Sequence, residues 1–184
     1  MLHGLWIVMR GVRAGHWPFT NTYETLVFLG FLIMSAYFIM SRGRRLIAVG
    51  AFAGIITSVL LALASFLSPE IEPLLPALKS NWLLFHVVSS FIGYAALALA
   101  SASALAYLGP GIFPALFLKK TNREHQLAYL DWITYRFIAF GFAFLTLGIV
   151  TGAVWANLSW GRYWNWDPKE TWAFITWAGY AVCL

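Results

Sequence analysis

The chain has 184 residues, 61% of them hydrophobic and only 10% charged, with a net charge of +5 and a mean hydropathy of +0.74. A soluble domain of this length carries about 25% charged residues, so the composition excludes an ordinary soluble protein and indicates a polytopic membrane protein. The excess of basic residues is therefore read as a topology signal and not as nucleic-acid binding. The one cysteine, Cys183, excludes an internal disulfide, a CxxC redox pair, a CxxCH haem-attachment site and a multi-cysteine zinc site.

The predicted fold is all-α: a transmembrane helix bundle with about five spans, forming one membrane domain over residues 1–184. Residues 1–13 are apolar but too short to span, and read as the end of a helix or as a short interfacial helix. The turn GHWPFTNTYE follows, in which Asn21 and Glu24 have capping-box spacing. The first span is expected at 22–40, ended by SRGRR, and the second at 46–67, followed by the proline-broken segment SPEIEPLLPALKS. A third span is expected at 81–108, ended by the Gly and Pro residues of 109–114. Beyond it lies a basic segment with Lys119, Lys120, Arg123 and Arg136. Thr121 and Glu124 there have capping-box spacing, which predicts a short interfacial helix through Leu127, Leu130 and Ile133. The fourth span is expected at 137–155 and the fifth at 170–184, where the chain cuts it.

Between the last two spans lies the densest signal in the chain. Residues 155–177, WANLSWGRYWNWDPKETWAFITW, hold six of the ten tryptophans. Interfacial anchoring takes one or two rings per span end, as Trp6, Trp17, Trp82 and Trp132 illustrate. Six rings interleaved with Asn157, Arg162, Asn165, Asp167 and Lys169 point to an aromatic platform for a flat ligand. Asp167, Pro168 and Glu170 also fit the N-cap, N1 and N3 positions of the fifth span, so this stretch starts a helix as well.

Loop charge sets the orientation. The loops after spans one and three carry Arg42, Arg44, Arg45, Lys119, Lys120, Arg123 and Arg136 against Glu124 and Asp131. On the opposite side, basic and acidic residues balance. The positive-inside rule puts the first set in the cytoplasm and the tryptophan loop (155–169), the GHWPFTNTYE turn and the start of span three on the outer face.

His86 lies about five residues into span three, roughly 7–8 Å below its outer end. An ionisable group at that depth is a functional candidate. A neutral histidine hydrogen-bonded to a neighbouring helix accounts for it equally well. Ser89, Ser90, Gly93, Ala96, Ala100 and Ser103 recur at helical spacing from it and form a face suited to close packing, which directs His86 into the bundle. A neutral imidazole there suits axial ligation of haem iron, an aromatic wall suits the porphyrin face, and Arg162 and Lys169 suit the propionates. His16 reads as a surface histidine, His125 as solvated.

WGRYWNWDPKETW, flanked by WAN and ITW, closely resembles the tryptophan-rich WWD signature of haem-handling membrane proteins in cytochrome c biogenesis, and the DPKETW ending resembles their CcsA/ResC type. NWLLFHV around His86 is similar to that family's outer-face histidine segment, and GHWPFTNTYE to its early Gly-x-x-Pro-x-x-Asn-x-Tyr-Glu turn. The resemblance implies a protein that presents haem b, as cargo, at the outer face of a bacterial plasma membrane or a thylakoid. It implies work with a CcsB/ResB-type membrane partner that attaches haem to CxxCH motifs of apocytochrome c. It makes His86 an axial ligand, and Trp155, Trp160, Arg162, Trp164, Trp166, Asp167 and Lys169 the haem platform. It is compatible with a subunit of a cytochrome c haem-attachment (synthase) complex, while no serine, cysteine or carboxylate constellation in the chain reads as a conventional active site. In that family further histidines follow the signature, so the sequence resembles a fragment lacking both ends, with His86 as one half of a ligand pair. A solute transporter would place polar residues deep inside several spans, and spans one, two and four have almost none. A purely structural subunit leaves six clustered tryptophans unexplained.

Overall fold

The computed structural model of the chain describes residues 2–42, 46–71, 73–112 and 123–184, and among these it contains helices and no strand. The helices are α1 (Leu2–Ala14), α2 (Thr22–Met40), α3 (Ile47–Ser65), α4 (Asn81–Ile112), α5 (Arg123–Trp160) and α6 (Pro168–Cys183), with a 3₁₀ turn at Pro76–Leu78. Helices α2 to α5 are long and apolar enough to cross a membrane. The multi-pass helical bundle expected from the sequence is therefore present. Helix α6 has 16 residues.

Two boundaries differ from expectation. The short interfacial helix and the fourth span are one continuous helix of 38 residues, roughly 57 Å long. Leu130 and Ile133 do not lie along a lipid surface. They are buried, and Leu130 joins a core with Ile33, Val49, Ala53, Leu99 and Ala102. Burial of those side chains in the bundle keeps the helix straight through the segment read as interfacial. At the other end α5 runs on to Trp160, so Trp155 and Trp160 stand on a helix and the connecting loop is only residues 161–167. Helix α4 also continues past Gly109 to Ile112, about one turn beyond its expected end. Arg44, Arg45, Glu72, Lys119, Lys120 and Thr121, which contributed to the loop-charge and capping readings, lie outside the described residues.

The most extensive helix contact is between α4 and α5. They cross where side chains are smallest. A Cβ on Gly93 would lie 3.0 Å from the backbone nitrogen of Leu145, and one on Gly141 would lie 3.2 Å from the backbone oxygen of Gly93. His86, Ser90, Gly93 and Leu97 on α4 face Gly152, Gly148, Leu145 and Gly141 on α5 in antiparallel register. Both rows advance by four and three residues, the spacing of a left-handed helix pair.

A buried ion pair joins other elements of the bundle. Asn21 caps α2 as expected, its Oδ1 accepting from the backbone N–H of Glu24 at 2.9 Å. Glu24 does not complete the capping box. Its carboxylate accepts from the N–H and hydroxyl of Thr20 at 2.9 and 3.0 Å and from Arg10 Nε at 2.7 Å. The guanidinium of Arg10 also donates to the carbonyls of Pro69 and Glu70, at 2.7 and 3.1 Å, and lies over the rings of Trp6 and Tyr23. One charged pair thus ties α1, α2 and the α3–α4 loop together. That loop also receives the indole N–H of Trp155, which donates to the carbonyl of Ala77 at 3.0 Å. The GHWPFTNTYE turn, the α3–α4 loop and the end of α5 consequently gather at one end of the bundle.

The side chains of Arg10 and Glu24 are 8% and 1% exposed, so each is a charge that depends on the other. Glu24→Ala should destabilise the protein by about 3–5 kcal/mol, because it leaves a buried guanidinium unpaired. Glu24→Gln, which keeps an acceptor, should cost less. The Arg10→Met/Glu24→Met double variant should lose less than the two single variants together. Unfolding followed by tryptophan fluorescence in detergent measures all three differences.

Candidate functional site

His86 sits one turn and a half into α4 and meets α5 side-on. Its Nδ1 is 2.7 Å from the carbonyl oxygen of Gly148. A carbonyl can only accept, so Nδ1 carries the proton and the lone pair is on Nε2. The imidazole lies nearly parallel to the indole of Trp155, 8° apart with centroids at 6.1 Å. The expected small-residue face largely holds its place: Ser90, Ala96, Ala100 and Ser103 are buried. Ser89 instead turns back along α4, donating to the carbonyl of Phe85 at 2.6 Å.

Five of the six tryptophans divide between two aromatic groups. Trp155 is buried, and Trp160, 65% exposed, meets it edge-on at 4.8 Å. Together with His86 they form a short row at the end of the α4–α5 pair. The second group follows α6. Trp164 meets Trp166 edge-on at 5.6 Å, Trp166 meets Phe174 at 6.1 Å, and Phe174 stacks on Trp177 at 6.2 Å. Trp177 stacks on Phe142 of α5 and donates from its indole to the Thr146 hydroxyl at 2.8 Å. Trp172 is exposed. The Trp164 indole N–H is buried without a hydrogen-bond partner.

The loop between these groups is held by its polar residues. Asp167 is the N-cap of α6, with extended backbone, and its Oδ1 accepts from the N–H of Glu170 at 2.8 Å; Pro168 follows as the first helical residue. The helix-start reading of this stretch is thus observed. Glu170 turns its carboxylate to the backbone N–H of Asn165 at 2.7 Å, and Arg162 donates to the Asn165 side chain at 3.2 Å. Between Asn165 and Asp167 the backbone of Trp166 is left-handed, with φ of 55°. A bulky residue in that region is strained, and the two flanking contacts hold it there. Lys169 is exposed.

The structure therefore brings His86, Trp155 and Trp160 into one row, and Trp164 and Trp166 into another, with Arg162, Asp167 and Lys169 on the exposed loop and helix start between them. Sequence reading missed Gly148 and Ala77, which act through backbone carbonyls and leave no side-chain signal. It also missed Phe142 and Phe174, which extend the second row. Glycines 141, 148 and 152, at seven- and four-residue spacing, were the available sign that α5 presents a slot to α4.

The family model described as "Cytochrome C assembly protein" matches residues 19–184. The chain is 37% identical over 217 residues to cytochrome c biogenesis protein CcsA of Chlorella vulgaris, a match covering 98% of this chain and 68% of the relative. It is 38% identical over 191 residues to CcsA of Chlamydomonas reinhardtii, covering 98% of this chain and 52% of the relative. To CcsA of Synechococcus elongatus it is 36% identical over 224 residues, covering 95% and 68%. The chain thus spans about half to two thirds of the length of these relatives.

Asp167→Ala should remove the α6 cap and cost about 1 kcal/mol, whereas Asp167→Asn should cost little. Hydrogen exchange at the amides of Glu170 and Thr171 reads this directly. Exchange should quicken in the alanine variant, and unchanged rates would show that the cap does not hold the loop.

Proposed function

The chain belongs to the cytochrome c assembly protein family, and from that premise we propose that it acts in cytochrome c biogenesis by binding haem b as cargo at the outer face of a membrane. The observation that carries this reading is the state of His86. Its Nδ1 is committed to the Gly148 carbonyl, which leaves the Nε2 lone pair as the group able to ligate an iron. The imidazole sits at the end of an aromatic row, beside exposed rings of a kind that accept a flat apolar ligand.

In this reading His86 supplies an axial ligand. Trp160, Trp164 and Trp166 supply aromatic surface, and the open Trp164 N–H supplies a donor at its margin. Arg162 and Lys169, exposed on the same loop and helix start, are placed to neutralise propionates. Asp167 and Glu170 shape the loop that carries these groups. Haem brings the vinyl groups that become thioethers in a cytochrome c, and the thiols come from the CxxCH motif of an apocytochrome c. The reading needs a partner of the CcsB/ResB type beside this chain in the bilayer. The orientation follows from the basic loops, which put the His86 end outside the cytoplasm, in a bacterial plasma membrane or a thylakoid.

The purified protein should show a Soret band that falls in His86→Ala, and falls further when Trp164 and Trp166 are both replaced by alanine. A folded protein that takes up no haem under reducing or oxidising conditions would refute the proposal. For orientation, a cysteine placed at Tyr163 in a Cys183→Ser background should react with a membrane-impermeant maleimide from the outer side only. Labelling from the cytoplasmic side would reverse the assignment.

A further inference from the structure

We infer that Gly152 and Trp155 are positioning residues for His86, holding its ring in one plane and one tautomer so that Nε2 stays free. The inference takes its purpose from the haem-binding reading above, but its geometry stands apart from it. Gly148, Gly152 and Trp155 follow one another at intervals of four and three residues and so share one face of α5. Each meets His86 differently. Gly148 offers a carbonyl to Nδ1, Gly152 leaves room for the ring edge, and Trp155 covers one ring face.

Gly152 differs from the other glycines of the seam. A Cβ on Gly93 would meet backbone atoms of α5, and one on Gly141 would meet Leu97 and the Gly93 carbonyl, which is what simple helix packing requires. The atoms nearest to a Cβ on Gly152 would all belong to the imidazole of His86, at 2.6 Å from Nδ1 and 2.8 Å from Cε1. Real Cβ atoms do not approach that closely, so any other residue would expel the ring and part Nδ1 from Gly148. The slot is thus specific to His86.

Trp155 is fixed in its turn. It is 8% exposed, and its N–H is spent on the carbonyl of Ala77. An indole that served only as an interfacial anchor would turn its N–H to water or headgroups. This one is tied to the α3–α4 loop, and its ring lies nearly parallel to the imidazole, offset from it with centroids 6.1 Å apart. A free histidine samples both tautomers and several ring orientations. Here edge, face and proton are all constrained, which is how outer residues usually fix a metal-ligating histidine.

The test uses the full chain in detergent with nitrogen-15-labelled histidine. In the unaltered protein His86 should show a protonated Nδ1 and a bare Nε2. In Gly152→Ala those signals should shift toward a tautomer mixture, and haem affinity should fall roughly 10–100-fold although His86 is intact. Trp155→Phe should move the same signals by removing the tether to Ala77. Gly54→Ala on α3, where an added Cβ meets nothing within 4 Å, should leave them in place. If Gly152→Ala fails to fold, Trp155→Phe decides, and unmoved His86 signals there overturn the inference. Unmoved signals in a folded Gly152→Ala protein overturn it as well. If His86→Ala loses haem while Gly152→Ala binds it unchanged, the inference fails and the haem reading stands. If no haem binds but Gly152→Ala shifts the tautomer, the haem reading fails and the positioning role stands.

Discussion

Helices α4 and α5 approach so closely that the backbone of each touches the other, and the rest of the site depends on that approach. In a bilayer no hydrophobic force favours helix association, because lipid is as apolar as leucine. Close packing of small residues supplies the attraction instead. At Gly93 and Gly141 the missing side chains let the two backbones meet. The same closeness brings the carbonyl of Gly148 within reach of an imidazole on the facing helix. With a larger residue at either crossing point, the helices would stand apart and His86 would face a gap. Helix packing and ligand geometry are therefore one constraint.

The end of the bundle needs a second support, because loops there have no partner helix. Arg10 and Glu24 provide it by combining three requirements. The carboxylate satisfies the N–H of Thr20 ahead of α2, the guanidinium satisfies two carbonyls of the α3–α4 loop, and each neutralises the other. A buried pair of this kind is rarely a strong source of stability compared with apolar residues of the same volume. What it contributes here is geometry. The loop that Arg10 holds at Pro69 and Glu70 also offers the Ala77 carbonyl to Trp155, and Trp155 lies against His86. A charge on α1 thus helps determine where a ring on α4 sits.

The spans were legible because a run of apolar residues has one stable form in lipid. Span one was expected at 22–40 and is Thr22–Met40. The helix start at Asp167–Pro168 was legible too, since cap, proline and acidic third position act locally. Reading failed where tertiary contact overrode local pattern. The amphipathic look of residues 123–136 suggested a surface helix, yet Leu130 and Ile133 find burial inside the bundle and the helix runs on. Charge counting shows that basic and acidic residues balance on the outer side, but not that Arg10 and Glu24 pair there, because two residues fourteen apart leave no sequence signature of a contact. His86 was recognised as a candidate, but its tautomer was not legible, since it is set by a carbonyl 62 residues away.

The density of tryptophan suggested one continuous platform, and the division into two rows changes what each ring is suited for. A ring that is to meet a ligand must keep a face or an edge free. Trp155 is buried, its N–H is tethered to Ala77, and its ring lies nearly parallel to that of His86. Trp177 is likewise tied, through Thr146 and Phe142, and joins α6 to α5. Trp160 and Trp166 keep most of their surface exposed, and Trp164 keeps an unpaired N–H. The loop carrying the last two is short and strained at Trp166, which is affordable only where the flanking contacts from Glu170 and the Asp167 cap fix it. Two of the six rings thus build the scaffold and three remain open to a ligand, with Trp172 facing outward on α6. Residue counting could not make that distinction, because it rests on where each indole N–H is spent.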